Sequence, residues 1–321
     1  MANEELKSFK YFHPSATREA SVDSCGKTIL VGEHAVLYGA RAVALPLRSM
    51  KLSLSFASRP VCEKVKPVVR MDGLDDSAHA SVVAVIERAC ELLCAEGMAI
   101  EVTGRSHIPL GAGFGSSAAL CVAILRGVAQ IKGETLNESR LAYLANELEK
   151  RFHGNPSGLD TATIAYDSCI RFRRGGSPEV LPLKDYESWP FLLVHSGLKA
   201  STKSMIQVAQ PYFQGARGAT RISRFDRLVS RVETGLRLGD HSLVADAMNQ
   251  ASHMLVEAGV VTDGLKSIIS ECMNIGCRAA KVTGAGGGGA VLVLLDQKEA
   301  SLQRSKLLKL FGERSIFDVG L

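Results

Sequence analysis

The chain has 321 residues, a net charge of +5 and 46% hydrophobic residues, long enough for two domains or one large one. Its longest apolar runs, such as Ala290–Leu295, are too short to cross a bilayer, and the first fifteen residues lack the apolar core of a secretory signal. A cytoplasmic protein with no membrane partner is therefore expected. Positive charge is spread along the chain. The cluster Arg171-Phe172-Arg173-Arg174 reads as solvated surface, and no nucleic-acid-binding motif surrounds it. The eight cysteines form no C-x-x-C pair, and Cys90 and Cys94 read as helical core, so reduced thiols are expected rather than disulfides or zinc.

Residues 1–24 carry little pattern and read as an extension or an edge strand. Lys27–Val31 reads as a strand that runs into turns at Gly32-Glu33-His34 and Gly39. Val43–Leu47 and Lys51–Phe56 read as two further strands, Ser81–Ala95 as an amphipathic helix and Ile100–Thr103 as a short strand. The segment Ala118–Ile131 is apolar nearly all round and predicts a buried helix. In the next helix Asn137 is the N-cap and Gly154 the terminal glycine. Leu141, Leu144, Ala145, Leu148 and Phe152 form its apolar face, and Glu149 borders that face, where a carboxylate needs a cationic partner. Asn155-Pro156-Ser157-Gly158 breaks the helix and Asp160 follows. Ile170–Phe172 and Glu179–Leu183 read as hairpin strands.

A composition change at 185–190 suggests a domain boundary, giving domains 1–188 and 189–321. Beyond it lie a strand from Phe191, helices at about 201–213, 218–237, 240–258 and 263–276, strands at Ala279–Val282 and Ala290–Leu295, and a closing helix at about 297–311. Strands followed by runs of helices, without regular βαβ alternation, argue α+β.

Three glycine-bearing stretches stand out. Pro109-Leu110-Gly111-Ala112-Gly113-Phe114-Gly115-Ser116-Ser117 leads into the buried helix. A glycine turn that opens a helix leaves backbone N–H groups unpaired in a positive potential, which suits phosphate. It is neither a Walker A loop, because no Gly-Lys-Ser/Thr ends it, nor G-x-G-x-x-G, because Ser116 stands at the third glycine. Its serines could cap the helix or offer a hydroxyl to a phosphate-bound magnesium. The stretch Gly26–Gly39 places Lys27 at the start of a strand and Glu33-His34 at its end. The third, Thr283-Gly284-Ala285-Gly286-Gly287-Gly288-Gly289, loses much backbone freedom on folding, which close approach of another backbone or a ligand would explain.

In order and approximate spacing, GKTILVGEHAVLYG, PLGAGFGSSAA and KVTGAGGGG resemble the three motifs of the GHMP small-molecule kinases. HGNPSGLD is similar to a segment of the family's mevalonate branch, and Ala35-Val36-Leu37-Tyr38-Gly39 after His34 departs from the galactokinase-like form of the first motif. The resemblance spans roughly residues 24 to 295. It implies a two-domain α+β fold: a ribosomal-protein-like N-terminal domain, a ferredoxin-like C-terminal domain and the active site between them.

It also implies ATP and magnesium as cofactors, mevalonate as a small-molecule substrate, and a homodimer. By the same resemblance Asp160 is the carboxylate beside the substrate hydroxyl, and Lys27 pairs with it and with the transferring phosphate. Glu149 and Ser117 hold magnesium. Pro109, Gly111, Ala112, Gly113, Phe114, Gly115, Ser116 and Ser117 hold the ATP phosphates. Lys27, Glu33, His34, Asp160, Thr202, Gly284 and Ala285 lie on the substrate side. The chain departs from the family at Ser24-Cys25, where Ala-Pro is usual, in the stretch Met248–Val260, and at Val261, so His253 receives no role. Phosphomevalonate is an alternative acceptor, for which Lys199, Lys203 or the 171–174 arginines would supply cations. A non-catalytic sensor would be expected to lose Lys27, Glu149 or Asp160. A Rossmann oxidoreductase does not fit the loop spacing.

Overall fold

The structure, a computed structural model, describes residues 17–63, 65–183 and 189–319. Its N-terminal part is built on two long strands, β1 (Arg18–Val31) and β2 (Arg41–Pro60), paired antiparallel from Arg18↔Ser58 to Val31↔Val43. The two strands expected at Val43–Leu47 and Lys51–Phe56 are one strand. The register jumps from Cys25↔Lys51 to Gly26↔Leu47, so Arg48, Ser49 and Met50 bulge out. A bulge leaves residues unpaired and bends the strand without ending it, and its interruption of the alternation reads as a break in one dimension. Arg18–Ser24 belong to the edge strand β1. Residues 1–16 lie outside the described residues.

Two strands pair with β2 along its other edge. β4 (Met98–Ser106) takes its C-terminal half and β5 (Ile170–Arg173) its first residues, each antiparallel. A strand absent from the sequence reading, β3 (Val68–Met71), adds parallel to β4, and β6 (Glu179–Val180) completes the expected hairpin with β5. Three helices, α1 (Asp76–Leu92), α2 (Ser116–Lys132) and α4 (Leu159–Tyr166), pack on this sheet, and α3 (Glu138–His153) packs over α2 and α4. Cys90 is buried in α1, but Cys94 lies past its end, exposed and at φ 51°. It is therefore not the core residue that its spacing suggests. All eight cysteines are free thiols.

The C-terminal part has its own antiparallel sheet in the order β10-β7-β9-β8, made of β7 (Phe191–His195), β8 (Ala279–Thr283), β9 (Ala290–Leu294) and β10 (Ile316–Asp318). Helices α5 (Thr202–Gln214), α6 (Gly218–Leu238), α7 (His241–Glu257), α8 (Asp263–Asn274) and α9 (Ala300–Phe311) complete this part: α7 and α8 pack on the sheet, α9 meets β10, α6 packs on α7 and α5 on α6. The boundary expected near 186–190 falls largely on residues 184–188, outside the described ones.

The 171–174 arginines are engaged rather than merely solvated. Arg171 pairs with Glu233 of α6 at 3.2 Å, Arg173 with Asp226 at 3.4 Å, and Arg174 donates to the Asn155 side chain. Arg41 at the start of β2 also joins Asp226, through its backbone N–H at 2.8 Å and its side chain at 3.1 Å. These contacts tie the edge of the first sheet to α6.

Helix α2 is the core of the N-terminal part, as its uniformly apolar sequence predicts. Ala118, Ala119, Ile124, Leu125 and Val128 are fully enclosed. Gly127 lies against Phe56, and a Cβ there would come within 2.1 Å of the buried ring. Helix propensity favours alanine over glycine by about 1 kcal/mol, but overpacking a closed core costs about 1–3 kcal/mol. Gly127→Ala is therefore expected to lower the midpoint of denaturant unfolding. A rise would mean that Phe56 can move aside.

Candidate active site

The loop from Pro109 to Ser117 reaches α2 through three glycines in the left-handed region, Gly111 at φ 72°, Gly113 at 81° and Gly115 at 74°. Gly115 is the N-cap, so Ser116 and Ser117 are the first helical residues and neither caps the helix with its side chain. The Ser117 hydroxyl is left for other partners. It donates to Glu149 Oε1 at 3.0 Å and lies 3.1 Å from His153 Nε2. Ala112 and Phe114 are buried. The Phe114 ring packs between His195 and Phe317 of the C-terminal sheet, with centroids 6.2 and 6.0 Å away. What Phe114 can offer a phosphate is its backbone, and its carbonyl already accepts from Lys27 N–H at 2.8 Å.

Lys27 enters this site from β1. Its ammonium lies 3.1 Å from Asp160 Oδ2, with the lysine side chain 3% exposed and the aspartate 31% exposed, so the pair opens on the aspartate side. Asp160 does not sit in a loop. It occupies the first turn of α4, whose N-cap is Gly158 at φ 88°. An eight-residue helix preceded by Pro and Gly leaves too short a period to be read from sequence. A Cβ at Gly115 would meet Lys27 Cγ at 2.9 Å, so the absence of a side chain there makes room for the lysine stem.

Glu149 is enclosed on α3. Burial pushes its carboxyl up to about 8, with the Asp160 charge adding to the rise; the Ser117 hydrogen bond and Lys27 pull it down. A buried carboxylate held so far above its ordinary range is one that a cation would relieve. Among the described residues no group of three His, Cys, Asp or Glu side chains converges as a metal cage. One carboxylate beside one hydroxyl fits magnesium, which keeps water and takes most of its oxygens from substrate phosphates.

The first and third glycine stretches meet behind this pair. Thr28 Oγ1 and Thr283 Oγ1 lie 2.9 Å apart, and Ile29 N–H donates to Thr283 Oγ1 at 2.9 Å. His34, buried and at φ 54°, has its Nε2 2.8 Å from the Ala285 carbonyl, and burial lowers its pKa. Lys281 of β8, fully buried, pairs with the equally buried Glu33 and donates to Ile29 O at 3.3 Å and Val282 O at 2.7 Å. Burial pushes the Glu33 carboxyl up and the Lys281 ammonium down, and each opposes the other's shift.

The third stretch also meets the phosphate-type loop, backbone against backbone. A Cβ at Gly289 would lie 2.8 Å from Ala112 O, and one at Gly284 would lie 3.3 Å from Gly113 O. Of the residues singled out in sequence, Lys27, Asp160, Glu149, Ser117 and the glycine loop converge. Glu33, His34, Gly284 and Ala285 form the seam beside them. Thr202 is exposed in the first turn of α5, and no hydrogen bond joins it to the others. Lys281 and His153 were missed. A lone lysine among apolar residues of a strand, and a histidine four residues after Glu149, are the signals that point to them.

Two family profiles match this chain: the GHMP kinases N terminal domain over residues 80–168 and the GHMP kinases C terminal domain over residues 232–313. The chain belongs to the GHMP kinase family. The mevalonate kinase of Thermococcus onnurineus is 27% identical over 306 residues, covering 86% of this chain and 89% of that protein. The crystal structure of L. major mevalonate kinase in complex with R-mevalonate shares the fold with a TM-score of 0.79 at 21% identity, covering 93% of this chain and 94% of that one. The Streptococcus pneumoniae phosphomevalonate kinase, in complex with phosphomevalonate and AMPPNP, does so with a TM-score of 0.76 at 16% identity, over 94% and 98%.

Two outcomes are expected. Lys281→Met leaves the Glu33 carboxyl buried without its cation and should cost about 3–5 kcal/mol in unfolding free energy, part of which Lys281→Met with Glu33→Leu recovers. Equal stability of the single variant and the parent would refute the seam's weight. In metal-free protein the raised Glu149 pKa means that the native state keeps a proton which the unfolded chain releases above its ordinary 4.5. Its contribution to stability therefore falls as pH rises between 4.5 and about 8. Glu149→Gln should raise the melting temperature more at about pH 8.5 than at about pH 5; a pH-independent change would contradict that assignment.

Proposed function

We propose that the chain is an ATP-dependent mevalonate kinase that makes 5-phosphomevalonate. The observation that carries this reading is the Lys27–Asp160 pair, 3.1 Å apart at the mouth of the glycine loop, with the Ser117–Glu149 pair beside it. Similarity to curated mevalonate kinases over most of both chains supports the choice of acceptor.

In this reading the backbone N–H groups from Gly111 to Ser117 hold the phosphates at the positive end of α2. Glu149 and Ser117 would hold magnesium, which would offset charge on the phosphate oxygens. Asp160 orients the acceptor hydroxyl and takes its proton as the oxygen bonds to the γ-phosphorus and the bond to the departing diphosphate breaks. Lys27 offsets the negative charge on the group in transit. A loose transition state asks little of the base, so proton loss can lag behind transfer and an aspartate next to an ammonium is adequate. Glu33 and His34 act through position: they hold Lys27's strand against the third glycine stretch. Thr202 is exposed at the start of α5 and would take part only through a direct contact with the acceptor.

The arginines at 171–174, which a phosphorylated acceptor could have used, are paired with Glu233, Asp226 and Asn155. That removes one support for phosphomevalonate as the substrate.

The test is ADP release with Mg-ATP across mevalonate, phosphomevalonate, homoserine and galactose. Mevalonate should be preferred by orders of magnitude in kcat/KM, and activity on none of the four would sink the proposal. Asp160→Asn should lower kcat at least a hundredfold, the lower end of typical general-base contributions of ~10²–10⁴, with ATP affinity little changed. A folded variant that keeps its turnover would remove Asp160 from the mechanism.

A further inference from the structure

We infer that Lys199, on the loop between β7 and α5, is a second cation for the nucleotide phosphates, delivered to the glycine loop from the C-terminal part of the chain. This rests on the reading of that loop as the phosphate site. Three observations carry it.

The first is contact. Gly111 faces the stem of Lys199: a Cβ built there would lie 3.6 Å from both Cγ and Cδ and 4.0 Å from Cβ of the lysine. The ammonium is only two bonds further on. The Lys199 stem therefore lies along the outer turn of the loop whose N–H groups are the candidate anion donors.

The second is that the loop carrying Lys199 is anchored to the same structure. Leu198 O accepts from Gly289 N–H at 2.8 Å, and Ser196 N–H donates to Gly289 O at 2.8 Å. Gly289 in turn packs on the Ala112 carbonyl. A side chain whose backbone is fastened one residue away, to a segment that itself touches the glycine loop, loses less freedom on engaging a phosphate than one on a free loop.

The third is charge. A nucleoside triphosphate brings more negative charge than one divalent cation offsets. Lys27 is already paired with Asp160, and the helix end supplies only about half a charge. Lys199 is exposed and has no ion pair among the described residues. Among the described residues no carboxylate engages its ammonium, so that charge remains for the phosphates.

The experiment compares the parent chain with Lys199→Met, Lys199→Arg and, as a control exposed on helix α9, Lys306→Met. Steady-state KM for Mg-ATP and for mevalonate is measured, together with equilibrium binding of ATP and of inorganic tripolyphosphate by calorimetry. Lys199→Met should raise the KM for Mg-ATP about tenfold and weaken tripolyphosphate binding by a similar factor. The KM for mevalonate should stay within about twofold, Lys199→Arg should recover most of the loss, and Lys306→Met should resemble the parent. An unchanged KM for Mg-ATP in Lys199→Met overturns the inference. So does a change confined to the acceptor, which would assign Lys199 to the other substrate. The two readings fail separately. Should the parent phosphorylate no acceptor while Lys199→Met still weakens nucleotide binding, the proposed reaction falls and the assignment of Lys199 stands.

Discussion

The site depends on one interaction more than any other, the buried pair between Glu33 and Lys281. Two opposite charges with no access to water persist only if each is the other's compensation, because either alone would be strongly disfavoured. The pair spans 248 residues of chain and joins the turn after β1, inside the first glycine stretch, to β8, which leads into the third. Lys281 also donates to the Ile29 carbonyl, and the Thr28–Thr283 contact lies alongside. A charge pair has a preferred direction and distance, which an apolar contact lacks. It therefore sets how β1 meets β8, and Lys27 rides on β1 two residues before Ile29.

A second constraint acts through the absence of side chains. Gly289 and Gly284 let the third stretch touch Ala112 and Gly113 directly, and Gly115 leaves room for the stem of Lys27. The cost in backbone freedom that makes four consecutive glycines look wasteful is offset by contacts that no larger residue allows. The phosphate-type loop is thus pressed from behind by a segment of the other sheet. Its N–H groups are arranged before any ligand arrives, which is what electrostatic stabilisation requires.

Around these two constraints the remaining polar groups fall into place according to their burial. Asp160 is partly open and can meet an acceptor, whereas Glu149 is closed in and held above its ordinary protonation range. Two carboxylates of the same charge type are separated by environment into an exposed group beside an ammonium and a buried one beside a hydroxyl. The charged contacts at the far edge, Arg41 and Arg171, tie the first sheet to α6.

Much of this was legible in the chain itself. Helical periodicity located α3 and α5 to α8 to within a few residues, because an amphipathic face repeats locally. Asn137 capped α3 as its side chain predicts, accepting from Arg140 N–H at 2.8 Å. The three glycine stretches and the border position of Glu149 stood out because such residues are costly in those settings, whereas Asp160, Lys27 and Ser117 took their roles from the resemblance to the GHMP kinases. Tertiary structure alone decided the rest. The continuity of β2 through its bulge, the parallel β3 and the short β10 depend on partner strands far away in sequence, and no local pattern encodes a partner. The helical setting of Asp160 and the exposure of Cys94 came from chain breaks next to short periods. The pairing of Glu33 with Lys281 was invisible because a sequence states which charges exist but not which ones the fold removes from water together.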